Sequence, residues 1–256
     1  MSDIRTVLIT GASAGIGEAT ALQLAKDGNY RLVLCARRIQ KLEALKKHIL
    51  SDFPNTDIHI FELDVRDKGA VESSISNLPS DYSKIDVLIN NAGLSQGLDP
   101  IDTGLTDDWD RMIDTNLKGL LYVTHSTLPL MKECKNGQII NIGSIAAKQV
   151  YPKGNVYNAT KHAVDALSKA MRIDLVEKGI KVSAVHPGMV ETEFSEVRFK
   201  GDKERAKKVY QDFTPLTGGD IADVISYILK VPEHVNIDDV LVMPKAQANA
   251  YVTHKN

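Results

Sequence analysis

The stretch TVLITGASAGIGEATALQLAKDG, residues 6–28, joins a short β-branched strand, a glycine-rich turn and a segment of helical periodicity. Gly11, Gly15 and Gly17 permit a tight turn and let the backbone approach a phosphate closely. Three residues separate Gly11 from Gly15, so the spacing differs from the G-x-G-x-x-G fingerprint. The helix after the turn offers free N–H groups and the positive end of its dipole. The stretch therefore predicts the phosphate-binding end of a dinucleotide site.

The same alternation continues along the chain. Further strands are predicted at RLVLCA, IHIFELDV, IDVLIN, GQIINIG, KVSAVHP and DDVLVMP. Longer segments of 3.6-residue periodicity lie between them, such as IQKLEALKKHIL and ATKHAVDALSKAMRIDLVEKG. Continuous apolar strands separated by helices predict a parallel sheet covered on both faces. We therefore expect an α/β fold in one domain over residues 1–256, a single doubly wound Rossmann sheet of seven strands.

The stretch from about 192 to 216 breaks this alternation. It is charged and includes FSEVRFKGDKERAKKVYQDF, residues 194–213. Long irregular connections in compact domains often carry function. We expect a substrate-covering insertion here.

The composition argues against several classes of protein. The 256 residues are 43% hydrophobic and 25% charged, which suits one soluble α/β domain. A net charge of -2 gives no reason to expect a nucleic acid partner. Two cysteines, Cys35 and Cys134, imply neither a disulfide framework nor a metal cluster, and Cys35 is expected in the core. No run reaches ~18 apolar residues, so we expect no membrane partner and a cytoplasmic location.

The second predicted strand ends in Cys35-Ala36-Arg37-Arg38, where NAD sites usually place an acidic residue. Guanidinium groups suit a 2′-phosphate, and Ser13 can add a donor, so we predict NADP. Ligands of open α/β sheets bind beyond the carboxyl ends of strands. The cofactor-binding residues expected from the first four strand ends are Gly11, Ser13, Ala14, Gly15, Ile16, Gly17, Arg37, Arg38, Asp64, Val65, Asn91, Ala92 and Gly93.

Four residues are candidates for catalysis. Tyr157 and Lys161 lie four residues apart in NVYNATKHAVDALSKAM and share one helix face. An ammonium beside a phenol favours the phenolate, so a Tyr with a pKa lowered from ~10 could act as a general acid or base. Ser144 follows the fifth strand, where its hydroxyl can donate to a carbonyl oxygen. Asn116 lies in a helical pattern that Asn disfavours, which indicates a functional reason or a bend.

These motifs resemble the short-chain dehydrogenase/reductase family over nearly the whole chain. They are TGASAGIG at 10–17, NNAG at 90–93, Asn116, Ser144, YNATK at 157–161 and HPGMVET at 186–192. Within the family, VETEFSEVRFKGDKERAKKVY at 190–210 is most similar to the NADP-dependent 3-hydroxy acid, serine-type dehydrogenases.

The resemblance implies a role for each residue. Tyr157 would exchange a proton with the substrate oxygen, and Lys161 would lower the pKa of Tyr157 and hold the nicotinamide ribose. Ser144 would position the carbonyl, and Asn116 would hold a water that connects Lys161 to solvent. His186 is interpreted as structural, and no metal is expected. The nicotinamide would contact Pro187, Gly188 and Val190, and its carboxamide would bond Thr192.

The implied substrate is a 3-hydroxy acid or β-hydroxy amino acid of the serine, allo-threonine or 3-hydroxypropionate type, exchanged with the corresponding carbonyl. Its carboxylate needs a partner, and we expect Arg198, with Lys148 and Gln149 as further candidates and Ser144 at the reacting oxygen. A sulfoacetaldehyde reductase, a general carbonyl reductase and a non-catalytic NADP-binding sensor remain alternatives. The resemblance also implies a homotetramer, formed through helices at about 107–134 and 157–179.

Overall fold

The structure is a computed structural model that describes residues 4–131, 134 and 137–255. These residues form one parallel sheet of seven strands in the order β3-β2-β1-β4-β5-β6-β7. The strands are β1 Arg5–Thr10, β2 Tyr30–Ala36, β3 Ile58–Glu62, β4 Val87–Asn90, β5 Gln138–Ile142, β6 Lys181–Pro187 and β7 Asp239–Val242. Each lies within or overlaps a predicted apolar run, so the doubly wound α/β fold is confirmed.

Helices cover both faces of the sheet. They are α1 Gly15–Asp27, α2 Ile39–Asp52, α3 Lys68–Ser76, α4 Thr106–Ile113, α5 Leu120–Thr127, α6 Asn155–Leu175, α7 Phe194–Arg198, α8 Lys203–Val209 and α9 Gly218–Lys230. Side chains alternate along β1, so Val7 and Ile9 pack with residues of α1, α2 and α9. Leu8 packs on the other face with residues of α3, α5 and α6. Cys35 is buried on that face, as expected.

The strand order reverses at β1, which pairs with β2 on one side and with β4 on the other. A crevice opens at such a point, beyond the carboxyl ends of the strands. The glycine-rich turn after β1 and the residues after β4 therefore meet at the place where a dinucleotide binds.

The helix predicted at about 107–134 is not continuous. After α4, residues Asp114–Gly119 form a π-helical segment, which is followed by α5 and by a 3₁₀ turn at Leu128–Met131. Asn116 lies in the π-helical segment, an irregularity of the helix at the residue for which the sequence indicates a functional reason or a bend. Lys132 and Glu133, the next residues of the predicted helix, lie outside the described residues. Short π segments within helices often mark functional sites.

The stretch at 192–216 carries α7 and α8, and a parallel bridge pairs Val190 with Leu216 across it. The segment therefore leaves the sheet after β6 and returns beside its starting point. Among the described residues, no helix has the length and apolar character needed to cross a membrane.

Candidate active site

A cavity of about 590 Å³ lies beyond the carboxyl ends of the strands. All but one of the predicted cofactor-binding residues line it, so the structure brings them together. They are Gly11, Ser13, Ala14, Gly15, Ile16, Arg37, Arg38, Asp64, Val65, Asn91, Ala92, Gly93, Tyr157, Lys161, Pro187, Gly188, Val190 and Thr192. The predicted insertion contributes Phe194, Val197, Arg198, Val209 and Tyr210 to the wall.

The exception is Gly17, which lies behind the turn rather than in the cavity wall. A Cβ on Gly17 would lie 2.5 Å from Nδ2 of Asn91 and 2.6 Å from the carbonyl oxygen of Gly11. Its small size allows α1 to pack against the turn, and the predicted contact of Gly17 with the cofactor stays a prediction. Gly11 and Gly15 have φ of +68° and +60°, so the turn itself requires glycine at both positions.

A cationic group lies at the far end of the turn. Arg38 donates through Nη2 to Oγ of Ser13 at 3.2 Å and through Nη1 to Oε2 of Glu193 at 2.7 Å. Lys41 donates to the other carboxylate oxygen of Glu193. These hydrogen bonds, that from Lys41 above all, hold the pKa of Glu193 below its usual value. Arg37 lines the cavity beside this group.

Asp64 is held in place by Arg66. The Arg66 guanidinium donates through Nε to both carboxylate oxygens at 3.0 Å. These bonds lower the pKa of Asp64, so its carboxylate is ionised at neutral pH. The predicted contact of Asp64 and Val65 with adenine stays a prediction.

Tyr157 and Lys161 are both buried, at 6% and 7% exposure. Lys161 donates through Nζ to the Ile142 carbonyl oxygen at 2.9 Å, and the same nitrogen lies 5.9 Å from the Tyr157 ring centroid. Burial raises the pKa of Tyr157 despite opposing effects of Arg198 and Ser144, and burial lowers the pKa of Lys161 to about 8. The expected lowering of the Tyr157 pKa is therefore wrong for this state, because desolvation outweighs the nearby cation.

Asn116 acts as a brace behind the cavity. Its Oδ1 accepts from the Leu94 N–H at 2.8 Å, and its Nδ2 donates to the Leu94 carbonyl at 2.8 Å and to Oγ1 of Thr160 at 3.1 Å. Thr160 precedes Lys161 on α6, so these bonds connect the chain after β4 to α6. Both polar groups of the Asn116 side chain are thus bonded to protein, and the structure does not bring that side chain into the cavity wall.

Ser144 lines the cavity at the end of β5 and caps a 3₁₀ turn, where its Oγ accepts from the Ala146 N–H at 3.1 Å. Nδ1 of His186 lies 3.3 Å from both the N and the O of Ser144. A Cβ on Gly143 would lie 2.2 Å from that nitrogen, so glycine lets the imidazole lie against the chain. His186 is fully buried, which agrees with its interpretation as structural.

The structure does not bring Lys148 or Gln149 into the cavity wall, and their role as substrate contacts stays a prediction. Lys148 Nζ lies 2.8 Å from Asp165 and 2.5 Å from Asp239, and Gln149 Oε1 accepts from the Ala250 N–H at 2.8 Å. Asp165, Asp239 and His186 also bring potential metal-ligand atoms within 4.8 Å of one another. The Lys148 ammonium already contacts both carboxylates, and the expectation that no metal binds stays a prediction.

Arg198, on α7, lies beside Tyr157. Its Nε donates to Oγ of Ser95 at 3.1 Å, and its Nη2 donates to the Tyr151 hydroxyl at 2.9 Å. The guanidinium carbon lies 5.3 Å from the ring centroid of Tyr157 and 5.0 Å from that of Phe194. The structure thus places Arg198 in the cavity beside Tyr157, and its contact with substrate stays a prediction.

Sequence reasoning missed several residues of the site. Ser95, which holds Arg198, comes two residues after the small residues that follow β4, so the strand-end rule that predicted Asn91 could have found it. Tyr151 and Phe194 carry no comparable signal, because aromatic residues are common in packed interiors. Gln247 comes from the C-terminal segment, where its Oε1 accepts from the Met189 N–H at 2.9 Å.

A doubly wound sheet with a phosphate-binding turn, a Tyr/Lys pair and a serine at the strand ends defines a nucleotide-dependent oxidoreductase. The chain belongs to the short-chain dehydrogenase family, whose sequence profile matches residues 5–203. It is 44% identical over 245 residues to an NADP-dependent 3-hydroxy acid dehydrogenase of Salmonella typhi, which covers 95% of this chain and 96% of the relative. It is 40% identical over 245 residues to a serine 3-dehydrogenase of Rhizobium radiobacter, with 96% of each chain covered.

A solved structure of a serine dehydrogenase, in its closed form with NADP⁺, superimposes with a TM-score of 0.91. The two chains are 40% identical, and the match covers 98% of this chain and 99% of the other.

Proposed function

We propose that this protein is an NADP-dependent dehydrogenase of 3-hydroxy acids or β-hydroxy amino acids. It transfers hydride between the nicotinamide and substrates of the serine, allo-threonine or 3-hydroxypropionate type, with the corresponding carbonyl as the oxidised form. The observation that carries the proposal is the position of Arg198, whose guanidinium lies 5.3 Å from the ring of Tyr157.

The residues of the cavity fit NADP. A Cβ on Gly11 would lie 2.9 Å from the Ala92 backbone. Glycine at this position therefore keeps free the space between the turn and the residues after β4. Arg37, Arg38 and Ser13 provide two positive charges and a hydroxyl at the end where a 2′-phosphate would lie. Arginine forks recognise phosphate well. When bound, NADP supplies the hydride chemistry, and the chain supplies orientation and proton transfer.

Tyr157 is the proton-transfer group of the proposed reaction. Burial keeps the phenol protonated at neutral pH in this state, so Tyr157 can donate a proton to a carbonyl oxygen during reduction. Ser144 offers a second hydroxyl at the same end of the sheet, which can donate to the oxygen as charge develops there. Lys161, one helical turn from Tyr157, is assigned to the nicotinamide ribose.

Arg198 is the proposed partner of the substrate carboxylate. A guanidinium can form two parallel hydrogen bonds with a carboxylate. Ser95 and Tyr151 hold the side chain from two sides, so it is oriented before substrate arrives. Because Arg198 lies on α7, we also propose that the segment at 192–216 covers the bound substrate.

The direct test is a steady-state scan with NADP⁺ and L-serine, D-serine, allo-threonine, 3-hydroxybutyrate, 3-hydroxypropionate and isethionate. We expect turnover with at least one 3-hydroxy carboxylate and a clear preference for NADP⁺ over NAD⁺. Turnover restricted to isethionate would instead identify a sulfonate enzyme. Cofactor binding without turnover on any compound in either direction would favour a non-catalytic sensor.

A second test removes the proposed carboxylate partner. Arg198→Ala should raise KM for the best hydroxy acid about 10- to 100-fold, as expected for loss of a charged hydrogen bond. KM for a neutral secondary alcohol should change little. Lys207→Ala, an exposed position on the neighbouring α8, is the matched control. Equal effects of Arg198→Ala on both substrates would contradict the role in carboxylate binding.

We further propose that the protein is a cytoplasmic homotetramer. The buried free thiols of Cys35 and Cys134 suit a reducing compartment. Apolar side chains exposed on the outer helices support assembly, among them Leu121 on α5 and Ile173 on α6.

A further inference from the structure

An acidic residue lies in the cationic group assigned above to the 2′-phosphate. Glu193 immediately precedes α7, while Lys41 belongs to α2 and Arg38 precedes that helix. The Glu193 carboxylate contacts Arg38 at 2.7 Å with one oxygen and Lys41 with the other. One carboxylate therefore engages both cations at once.

The same donors suit a phosphate monoester better than a carboxylate. A phosphate monoester carries about −1.5 to −2 charges at pH 7 and offers three acceptor oxygens, against one charge and two oxygens for Glu193. Arg38 also contacts Ser13 of the phosphate-binding turn, so its guanidinium already lies between the turn and Glu193. Glu193 and the phosphate would thus compete for the hydrogen-bond donors of Arg38 and Lys41.

The ion pairs of Glu193 are exchangeable. The side chains of Glu193, Arg38 and Lys41 are 41%, 47% and 46% exposed. Pairs between such exposed groups contribute little net stability, because water solvates each partner well. A more highly charged ligand can therefore displace the carboxylate at small cost.

We propose that Glu193 is an internal competitor for the 2′-phosphate of the cofactor and so tunes the preference for NADP over NAD. This inference rests on the proposed function, since it requires NADP in the cavity. Without the carboxylate, Arg38 and Lys41 are free to meet the phosphate, and the repulsion between two anions disappears. Glu193 therefore weakens binding of the phosphorylated cofactor and leaves binding of the unphosphorylated one nearly unchanged.

The test measures binding by calorimetry with two probes, adenosine 2′,5′-bisphosphate and 5′-AMP, which differ only in the 2′-phosphate. Glu193→Gln should bind the bisphosphate about three- to tenfold more tightly than wild type, with 5′-AMP affinity unchanged. Glu196→Gln is the matched control. Glu196 lies on α7, three residues after Glu193, and no described residue forms an ion pair with its side chain. Circular dichroism checks that each variant is folded.

A double-mutant cycle tests whether the effect of Glu193 depends on Lys41. In a Lys41→Met background, the gain from Glu193→Gln should shrink, because one of the two shared cations is gone. A gain of the same size in both backgrounds would exclude competition through Lys41 and overturn the proposal as stated.

The outcomes distinguish a failure of the NADP assignment from a failure of the competition by Glu193. A wild-type protein that binds 5′-AMP as tightly as the bisphosphate would contradict the NADP assignment, and the inference with it. A wild type that prefers the bisphosphate, with Glu193→Gln binding it equally or more weakly, would overturn the inference alone. The same gain in Glu196→Gln would indicate a general charge effect and would also overturn it.

Discussion

Tyr157 and Lys161 are residues whose burial controls their acid–base properties. The phenol is desolvated, so its pKa rises, and the ammonium is desolvated, so its pKa falls to about 8. Each shift favours the neutral form of its group. A ligand that brings new charges into the cavity will change this balance, which makes the two residues responsive to what is bound.

The first prediction concerns proton transfer by Tyr157. Tyr157→Phe should lower kcat by about 10²- to 10⁴-fold, because the variant lacks the group that exchanges a proton with the substrate oxygen. The phenyl ring can still pack 5.6 Å from Phe194, centroid to centroid, so the protein should remain folded. Binding of adenosine 2′,5′-bisphosphate should be unchanged in calorimetry. Activity within a factor of two of wild type would exclude Tyr157 as the proton donor.

The second prediction is that Lys161 reduces the stability of the fold. Lowering its pKa from 10.5 to about 8 corresponds to on the order of 3 kcal/mol against the charged form. Its hydrogen bond to the Ile142 carbonyl offsets part of this cost. Lys161→Met should therefore unfold with a free energy about 1–2 kcal/mol higher at pH 7 while losing activity.

The pH dependence of unfolding provides the check. Between pH 8 and 10.5 the unfolded chain keeps the Lys161 proton and the folded chain loses it, so wild-type stability rises with pH across this window. The advantage of Lys161→Met should shrink accordingly in urea titrations at pH 7 and pH 9.5. An advantage that stays constant would mean that desolvation of the ammonium is not its cause.

At the level of elements, the Lys148 cluster joins the end of β5 to α6, β6 and β7. Lys148 bridges Asp165 of α6 and Asp239 of β7, and His186 of β6 lies against both carboxylates. His186 in turn contacts the backbone of Ser144. The cluster therefore connects the strand ends next to Ser144.

The third prediction is that Lys148→Met destabilises the protein by about 2 kcal/mol at pH 7, because two partly buried carboxylates lose their common cation. Lys169→Met is the matched control, since Lys169 contacts the same Asp165 but is 56% exposed. It should cost less than about 1 kcal/mol. KM for hydroxy acids should not change in Lys148→Met, whereas a selective rise would restore Lys148 as a substrate contact.

The cluster also predicts a contribution to the stability of the fold that is lost in acid. Burial alone would raise the pKa of Asp165, but hydrogen bonds from Lys148 and Lys169 outweigh it and lower that pKa to about 2. The stabilisation is present above the unfolded value of 3.8 and is lost as pH falls towards 2. Stability measured over this window should therefore fall less steeply in Lys148→Met than in wild type.

The strands could be predicted from sequence because each is a local run of β-branched, apolar residues, as in TVLIT before Gly11. The π-helical segment could not be located to the residue, since its cause is non-local: Asn116 bonds Leu94 and Thr160, which are distant in sequence. The ion pairs of Lys148 could not be predicted for the same reason. Its proximity to Ser144 in sequence says nothing about Asp239, 91 residues further on.

At the scale of the whole molecule, the cavity gathers residues from strand ends across the sheet and from the segment at 192–216. Most of the residues that the strand-end rule predicts for the cofactor line this cavity, because in a doubly wound sheet every carboxyl end faces the same side. It does not specify how the covering segment folds. The positions of Arg198 and Glu193 depend on α7, whose placement results from tertiary contacts such as the Ser95 and Arg38 bonds.

The surface of the single chain leaves apolar side chains in water. Ile173 and Val176, at the end of α6 and just beyond it, are 75% and 67% exposed, and Leu121 of α5 is 39% exposed. Tyr227 of α9 is 65% exposed, and Leu241 of β7 is 42% exposed. Interfaces of the proposed tetramer would cover exposed apolar side chains of this kind.

The fourth prediction concerns Ile173, an exposed apolar side chain of α6. Ile173→Glu should convert the proposed tetramer into a smaller species in light scattering at micromolar concentration, because a charge buried in an interface without a partner is costly. Ile101→Glu is the matched control, since Ile101 is 65% exposed in the loop before α4. It should leave the mass unchanged. A wild-type monomer would contradict the assembly, and an Ile173→Glu tetramer would exclude the α6 face as one of its interfaces.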